Sequence, residues 1–182
     1  MKVTETALND LLVVESPVSN DDRGFFTEVY HSEKFALLGL SEQFVQDNHS
    51  RSVRNVLRGL HYQIERPQGK LVRPVTGTIF DVAVDLRESS STFGKWFGMS
   101  LTAGDGKQLW IPAGFAHGFL VLSAVADVLY KCTSLYHGAS DRSLAWNDES
   151  IAIEWPIPSG QLPLLSAKDS AAPTLAHAQR FR

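Results

Sequence analysis

Two histidines and a run of basic residues are the parts of this sequence best suited to chemistry. His117 closes the spacing Gly106-x5-Pro112-x-Gly114-x2-His117, a tight Pro/Gly turn that returns the chain inward with an imidazole behind it. His61 lies in Gly59-Leu-His61-Tyr-Gln63, within the most basic part of the chain. Between positions 51 and 73 there are six basic residues (Arg51, Arg54, Arg58, Arg66, Lys70, Arg73) and one acid, Glu65, a net of +5 that leaves −8 for the remainder. Basic residues interleaved with apolar strand-like sequence suit a small anion such as a phosphate or diphosphate, which arginine grips bidentately. By position alone, a lone strand histidine is a packed core residue, and a single arginine is part of a solvated face. Two histidines are too few for the common three-ligand metal sites, and Arg58, Lys70 and Arg73 repel a divalent cation. No metal is expected.

Short strands must position these groups. The run 11–14 is apolar, 16–24 is rich in turn residues, and 25–30 reads as a strand. The spacing predicts a short helix over 31–40 with Ser32 as its N-cap. Strands are then expected at 43–48, 56–63, 69–75, 78–87, 96–101, 108–111, 117–122 and 127–133. In Thr78-Ile-Phe-Asp-Val-Ala-Val-Asp-Leu86, Phe80, Val82, Val84 and Leu86 face one way, and Asp81 and Asp85 the other. Turn residues recur at the interval expected of an all-β sandwich or barrel. The tail from Pro156 reads as loop or short helix. No repeat or linker is visible, so residues 1–182 are read as one domain.

Composition bounds the function. Hydrophobic residues are 43% and charged residues 20%, an ordinary globular balance, and a net charge of −3 argues against a nucleic-acid or membrane-surface protein. No apolar run approaches membrane-spanning length, the first residues lack a signal-peptide core, and Cys132 stands alone, so a cytoplasmic location is expected.

The His117 spacing resembles the second motif of the cupins, small jelly-roll barrels. In the first cupin motif the second histidine is here Gln63, and no acidic ligand follows, so the resemblance is to a cupin without its metal. Longer blocks resemble the dTDP-4-dehydrorhamnose 3,5-epimerases. They are Asp21-Asp-Arg-Gly-Phe-Phe26, Phe44-Val-Gln-Asp-Asn-His-Ser50, Asn55-Val-Leu-Arg-Gly-Leu-His-Tyr-Gln63, Gly69-Lys-Leu-Val-Arg73, Phe80-Asp-Val-Ala-Val-Asp-Leu-Arg87, Trp110-Ile-Pro-Ala-Gly-Phe-Ala-His-Gly-Phe119, Leu129-Tyr-Lys131 and Leu165-Ser-Ala-Lys-Asp169. Several blocks in order across nearly the whole chain are more specific than either cupin-like motif.

That resemblance implies an all-β, cupin-type jelly-roll barrel with short flanking helices. It implies a cofactor-independent isomerase that inverts carbons 3 and 5 of dTDP-4-dehydro-6-deoxy-D-glucose, on the route to dTDP-L-rhamnose and O-antigen-type glycans. His61 matches the family's base, Asp169 its carboxylate partner, Lys70 the lysine facing the enolate, and Tyr130 the acid. Arg23, Phe25, Glu28, Gln46, Asn48 and Arg58 match positions that hold thymidine and diphosphate. His117 matches a substrate contact or structural residue. Asp141 and Lys168 align with two further contacts, Asp141 where relatives carry Glu. The family is a homodimer whose N-terminal strands add to the partner's sheet, so Arg23 and Phe25 are expected to serve the neighbouring subunit. Three alternatives stand beside this reading: a metal-dependent cupin oxygenase, a non-catalytic nucleotide-sugar-binding cupin, and an enzyme that epimerises carbon 3 alone or isomerises the keto-sugar.

Overall fold

Strand alternation decides which side chains meet inside, and β8 (Thr78–Asp85) shows how. Phe80, Val82, Val84 and Leu86 pack on one face, whereas Ile79 and Ala83 pack on the other, beside Asp81 and Asp85. Both faces are covered for most of the strand: both aspartates are fully buried, and only Thr78 and Phe80 keep partial exposure. A strand buried on both faces needs a layer on each side, and the chain supplies them.

The computed structural model describes all 182 residues. Before β8 come β1 (Lys2–Glu5), β2 (Leu12–Glu15), β3 (Val18–Asp21), β4 (Gly24–Thr27), α1 (Ser32–Leu37), β5 (Gln46–Val53), β6 (Leu57–Gln63) and β7 (Lys70–Thr76). After it come β9 (Trp96–Thr102), β10 (Lys107–Ile111), β11 (Phe115–Val121), β12 (Val125–Cys132), β13 (Asp141–Ser143) and α2 (Ala167–Ser170). They form a six-stranded sheet ordered β1-β2-β10-β7-β12-β5 and a five-stranded sheet ordered β13-β6-β11-β8-β9; β3 and β4 make a separate hairpin. The ladders within these sheets are antiparallel, and with two short helices this is the expected jelly-roll barrel.

Three apolar clusters hold the layers. Val72, Leu109, Ile111 and Val128 of the first sheet meet Ile79, Leu101, Phe115 and Phe119 of the second inside the barrel. The second sheet's outer face is covered by the C-terminal segment through Leu144, Ile151, Trp155 and Phe181. Part of the first sheet's outer face lies under Phe35, Leu40 and Tyr30.

Some expected boundaries change. The helix is Ser32–Leu37 with His31 at its N-cap and no capping side chain, so Ser32 is its first residue rather than its cap. It ends early because Gly39, at φ 85°, lets the Leu40 and Gly39 N–H groups return to the Phe35 and Ala36 carbonyls. The turn-rich stretch after Ser16 contains β3, since Asp22-Arg23 closes a hairpin onto β4. The strand expected at 43–48 instead spans Gln46–Val53, in register with the whole of β12. β1 and β13, too short to show periodicity, also add to the sheets.

Candidate active site

Register brings the chemistry together. His61 on β6 pairs with His117 on β11, and Ser143 on β13 flanks His61 on its other side. In the facing sheet, Tyr130 on β12 sits between Asn48 on β5 and Val72 on β7, and Lys70 pairs with Cys132. The sheets part at this end of the barrel to leave a cavity of about 340 Å³. Gln46, Asn48, Arg58, His61, Lys70, His117, Tyr130, Asp141 and Lys168, all expected from the sequence, line it. The two histidines belong to one wall, and Lys70 and Tyr130 to the opposite one.

Gly59 and Gly118 allow the β6 and β11 backbones to approach closely. A Cβ on Gly118 would lie 2.6 Å from the Arg58 carbonyl oxygen, and Gly59 has a φ of 124°.

Each titratable group has a distinct environment. His61 lines the cavity, and its Nε2 lies 2.6 Å from Asp169 Oδ1, which leaves the ring's other nitrogen without a protein partner. Burial alone would raise the Asp169 carboxyl, but the His61 hydrogen bond and charge, with donors from Ser166 and the Gly59 N–H, hold it below the usual range. Ser166 also caps α2, the helix that carries Asp169. Lys70 is 7% exposed and donates to the His61 carbonyl at 3.2 Å. Burial pushes its ammonium down, and no carboxylate pairs with it. Burial pushes the His117 imidazole down, against the pull of Asp81, whose Oδ1 lies 2.7 Å from Nε2. Burial raises the Tyr130 phenol. The wall is therefore set for proton transfer beside a poorly hydrated cation.

The basic run divides. Arg58 and Lys70 line the cavity, but Arg51 is turned to the other face of the sheet, where it binds Asp127 at 3.0 Å. Arg73 lines small hollows beside β10 instead. Arg58 is anchored through Nε to Ser52 Oγ at 2.8 Å and meets no acid, so its charge is available to an anion.

Arg23, Phe25 and Glu28 are not brought to this cavity. Arg23 pairs with Asp21 and Glu28 with Lys34, while Phe25 stands 61% exposed on the β3–β4 hairpin. Tyr136, Gln63 and Gln68 line the cavity without having been expected as contacts. Gln63, where cupins carry a ligand histidine, braces the 134–137 loop: it accepts from the His137 N–H at 2.8 Å and donates to the Leu135 carbonyl. No three His, Cys, Asp or Glu side chains converge as metal ligands. No helix is long and apolar enough to cross a membrane.

Comparison with known proteins agrees with this geometry. The family model described as dTDP-4-dehydrorhamnose 3,5-epimerase matches residues 5–177. A protein of that name from Salmonella typhimurium is 56% identical over 180 residues, covering 98% of this chain and 97% of the relative. The crystal structure of dTDP-6-deoxy-D-glucose-3,5-epimerase from Legionella pneumophila, in complex with dTDP-4-keto-L-rhamnose, superposes with a TM-score of 0.93 at 46% identity, covering 100% of this chain and 98% of that one. A 3'-monoepimerase from Streptomyces bikiniensis in complex with dTDP-quinovose is more distant: TM-score 0.86 and 33% identity, covering 94% of this chain and 86% of that one.

Proposed function

The chain belongs to the dTDP-4-dehydrorhamnose 3,5-epimerase family, and on that premise we propose how its residues invert carbons 3 and 5 of dTDP-4-dehydro-6-deoxy-D-glucose. It is an isomerase, and its product is dTDP-4-dehydro-L-rhamnose. Both hydrogens to be inverted are α to the carbon-4 ketone. His61 removes such a proton with its free nitrogen, while Asp169 holds the ring and stabilises the imidazolium. The electron pair moves to the carbon-4 oxygen, and the Lys70 ammonium meets the enolate there. A carbon acid is far weaker than imidazolium, and each pKa unit of mismatch costs about 1.4 kcal/mol, so a fixed cation at the oxyanion is required. The Tyr130 hydroxyl then delivers a proton to the other face of the carbon.

One observation carries this assignment: His61 and Tyr130 belong to opposite walls of one cavity, with Lys70 lining it too. A sugar between them is open to removal on one face and delivery on the other, which is what inversion demands. The 56% identity to a 3,5-epimerase, against 33% to the monoepimerase, favours inversion at both carbons.

Arg58 takes the diphosphate, and Gln46 and Asn48, linked Nε2 to Oδ1 at 3.0 Å, face the nucleoside. Arg23, Phe25 and Glu28 complete the site of a second copy. The β3–β4 hairpin belongs to neither barrel sheet, and Phe25 and Phe26 are 61% and 74% exposed on it. β5, which carries Gln46 and Asn48, is the sheet's unpaired edge. Adding a partner's hairpin to that edge would seal both exposed features and bring a stacking ring and an arginine to the nucleotide. Residues 1–182 act as one domain, since the C-terminal segment supplies Asp169 to the barrel's base. The lone buried Cys132 fits a reducing, cytoplasmic setting.

His61→Asn tests the mechanism. The variant should fold and bind the nucleotide but lose solvent-hydrogen exchange at both carbons. Exchange surviving at either carbon would establish a second base and overturn the assignment.

A further inference from the structure

Asp169 reaches His61 from a short helix whose flanks are tied to the barrel by backbone, Leu164 to Asn55 and Leu57 and Pro173 to Ala145, while side chains alone fix the helix between those anchors. Of the four residues of α2, Asp169 alone is buried. Its side chains reach the barrel at two points: Asp169 meets His61 and the Gly59 N–H, and Lys168 Nζ donates to Asp141 Oδ2. The second link has nothing to do with the base directly, yet it starts one residue from the carboxylate that orients it. Asp141 is itself tied down, because the Tyr136 hydroxyl donates to the same Oδ2 at 3.2 Å. Tyr136 in turn donates its N–H to Gln46 Oε1 at 2.8 Å, on the first sheet. A polar chain thus runs from Gln46 on the nucleoside wall through Tyr136, Asp141 and Lys168 to the helix that aims the base.

We propose that Tyr136, Asp141 and Lys168 form a clasp that positions α2, so that Asp141 and Tyr136 are positioning residues for the Asp169–His61 pair. This rests on the reading of His61 as the base. The clasp spans the gap between β13 and α2 at the rim of the cavity, where no apolar side chain of α2 could do the same work. The carboxylate matters more than its exact reach: Asp141 needs an anionic oxygen that both Lys168 and Tyr136 can reach. The alternative role for Asp141 and Lys168, direct contact with the sugar nucleotide, makes a different kinetic prediction, because uniform binding contacts act on KM while positioning acts on kcat.

The test compares kcat, KM and dTDP affinity for Asp141→Asn, Asp141→Glu and Tyr136→Phe, with His61→Asn alongside. Misplacing a reacting group by an ångström costs on the order of 10²-fold, so a loosened helix is expected to lower kcat about tenfold in Asp141→Asn. KM and dTDP affinity should stay within about threefold, and Asp141→Glu should recover most of the turnover, since it restores the anion. Tyr136→Phe, which keeps the ring, should lower kcat by about threefold, and adding it to Asp141→Asn should cost nothing further, because both cut the same chain. A rise in KM with kcat preserved would overturn the clasp in favour of direct substrate contact, and wild-type kinetics in Asp141→Asn would overturn it outright. If His61→Asn retains exchange, the base assignment itself has failed; if His61→Asn is dead and Asp141→Asn is normal, only the clasp has failed.

Discussion

Lys70→Met removes an ammonium that is 7% exposed, pairs with no carboxylate and makes a single hydrogen bond, 3.2 Å to the His61 carbonyl. Desolvating one ion costs several kcal/mol even after relaxation, whereas a hydrogen bond from a charged donor returns only about 1.5–3 kcal/mol. Methionine follows the same path through the wall, so the exchange should stabilise the fold by roughly 1–3 kcal/mol. For a chain of this length that is a rise in Tm of roughly 2–12 °C, measured at one fixed protein concentration. The gain should also depend on pH in a defined direction. Burial holds the folded Lys70 below its ordinary 10.5, so the unfolded chain binds the extra proton between the two values. Wild-type stability therefore rises through that window, and the gap between variant and wild type should narrow as pH approaches 10.5. Catalysis should move the opposite way, since losing one enolate-stabilising group costs about 10²–10³ in kcat. Differential scanning calorimetry and solvent-deuterium exchange read the two effects on one sample. A variant that is less stable, or one that still exchanges carbon 5 at the wild-type rate, would refute the reasoning that Lys70 is a strained cation kept for the enolate.

Tyr130→Phe should leave the base intact and separate exchange from inversion. NMR should show deuterium entering carbon 5 while net inversion there falls by ~10²–10⁴, and normal inversion would reduce Tyr130 to wall packing. Gly118→Ala would place a Cβ 2.6 Å from the Arg58 carbonyl and 3.1 Å from Gly59 Cα, backbone that cannot swing aside. A stability loss of about 1–3 kcal/mol in urea unfolding is expected, and an unchanged midpoint would show that the sheet parts at no cost. Arg51, then His49, hold Asp127 at about 2, so the stability it lends above the ordinary 3.8 is lost as pH falls through about 2. Asp127→Asn should accordingly flatten the fall of Tm with pH below that ordinary value, and an unaltered acid profile would show that the pair contributes nothing.

Local sequence made the barrel and most of the cavity legible, for a physical reason. His61, Lys70 and Tyr130 sit in short strands where neighbouring residues are fixed by alternation, and each lies within a matching block. Long-range facts were not legible in the same way. Alternation in β8 correctly separated Val82 from Asp81, but only the covering C-terminal segment decides that the Asp81 face turns inward, where it binds His117. The basic run looked like one anion site because charge is counted along the chain. Pleating sends Arg51 to the opposite face from Ser50 and Ser52, and Asp127, far along the chain, takes it up. Tyr136 lies in a loop with no periodicity, and its role at the rim depends on Gln46 and Asp141, brought there by the fold. The β3 strand was masked by turn residues that proved to be its own hairpin.

The central claim, that one cavity inverts two carbons through an enolate, is tested most directly by incubating the wild-type protein with dTDP-4-dehydro-6-deoxy-D-glucose in D2O and following the sugar by NMR. The account predicts deuterium at both carbon 3 and carbon 5, each in inverted configuration. Deuterium and inversion at carbon 3 alone would make the protein a monoepimerase, and the absence of any exchange would contradict the account altogether.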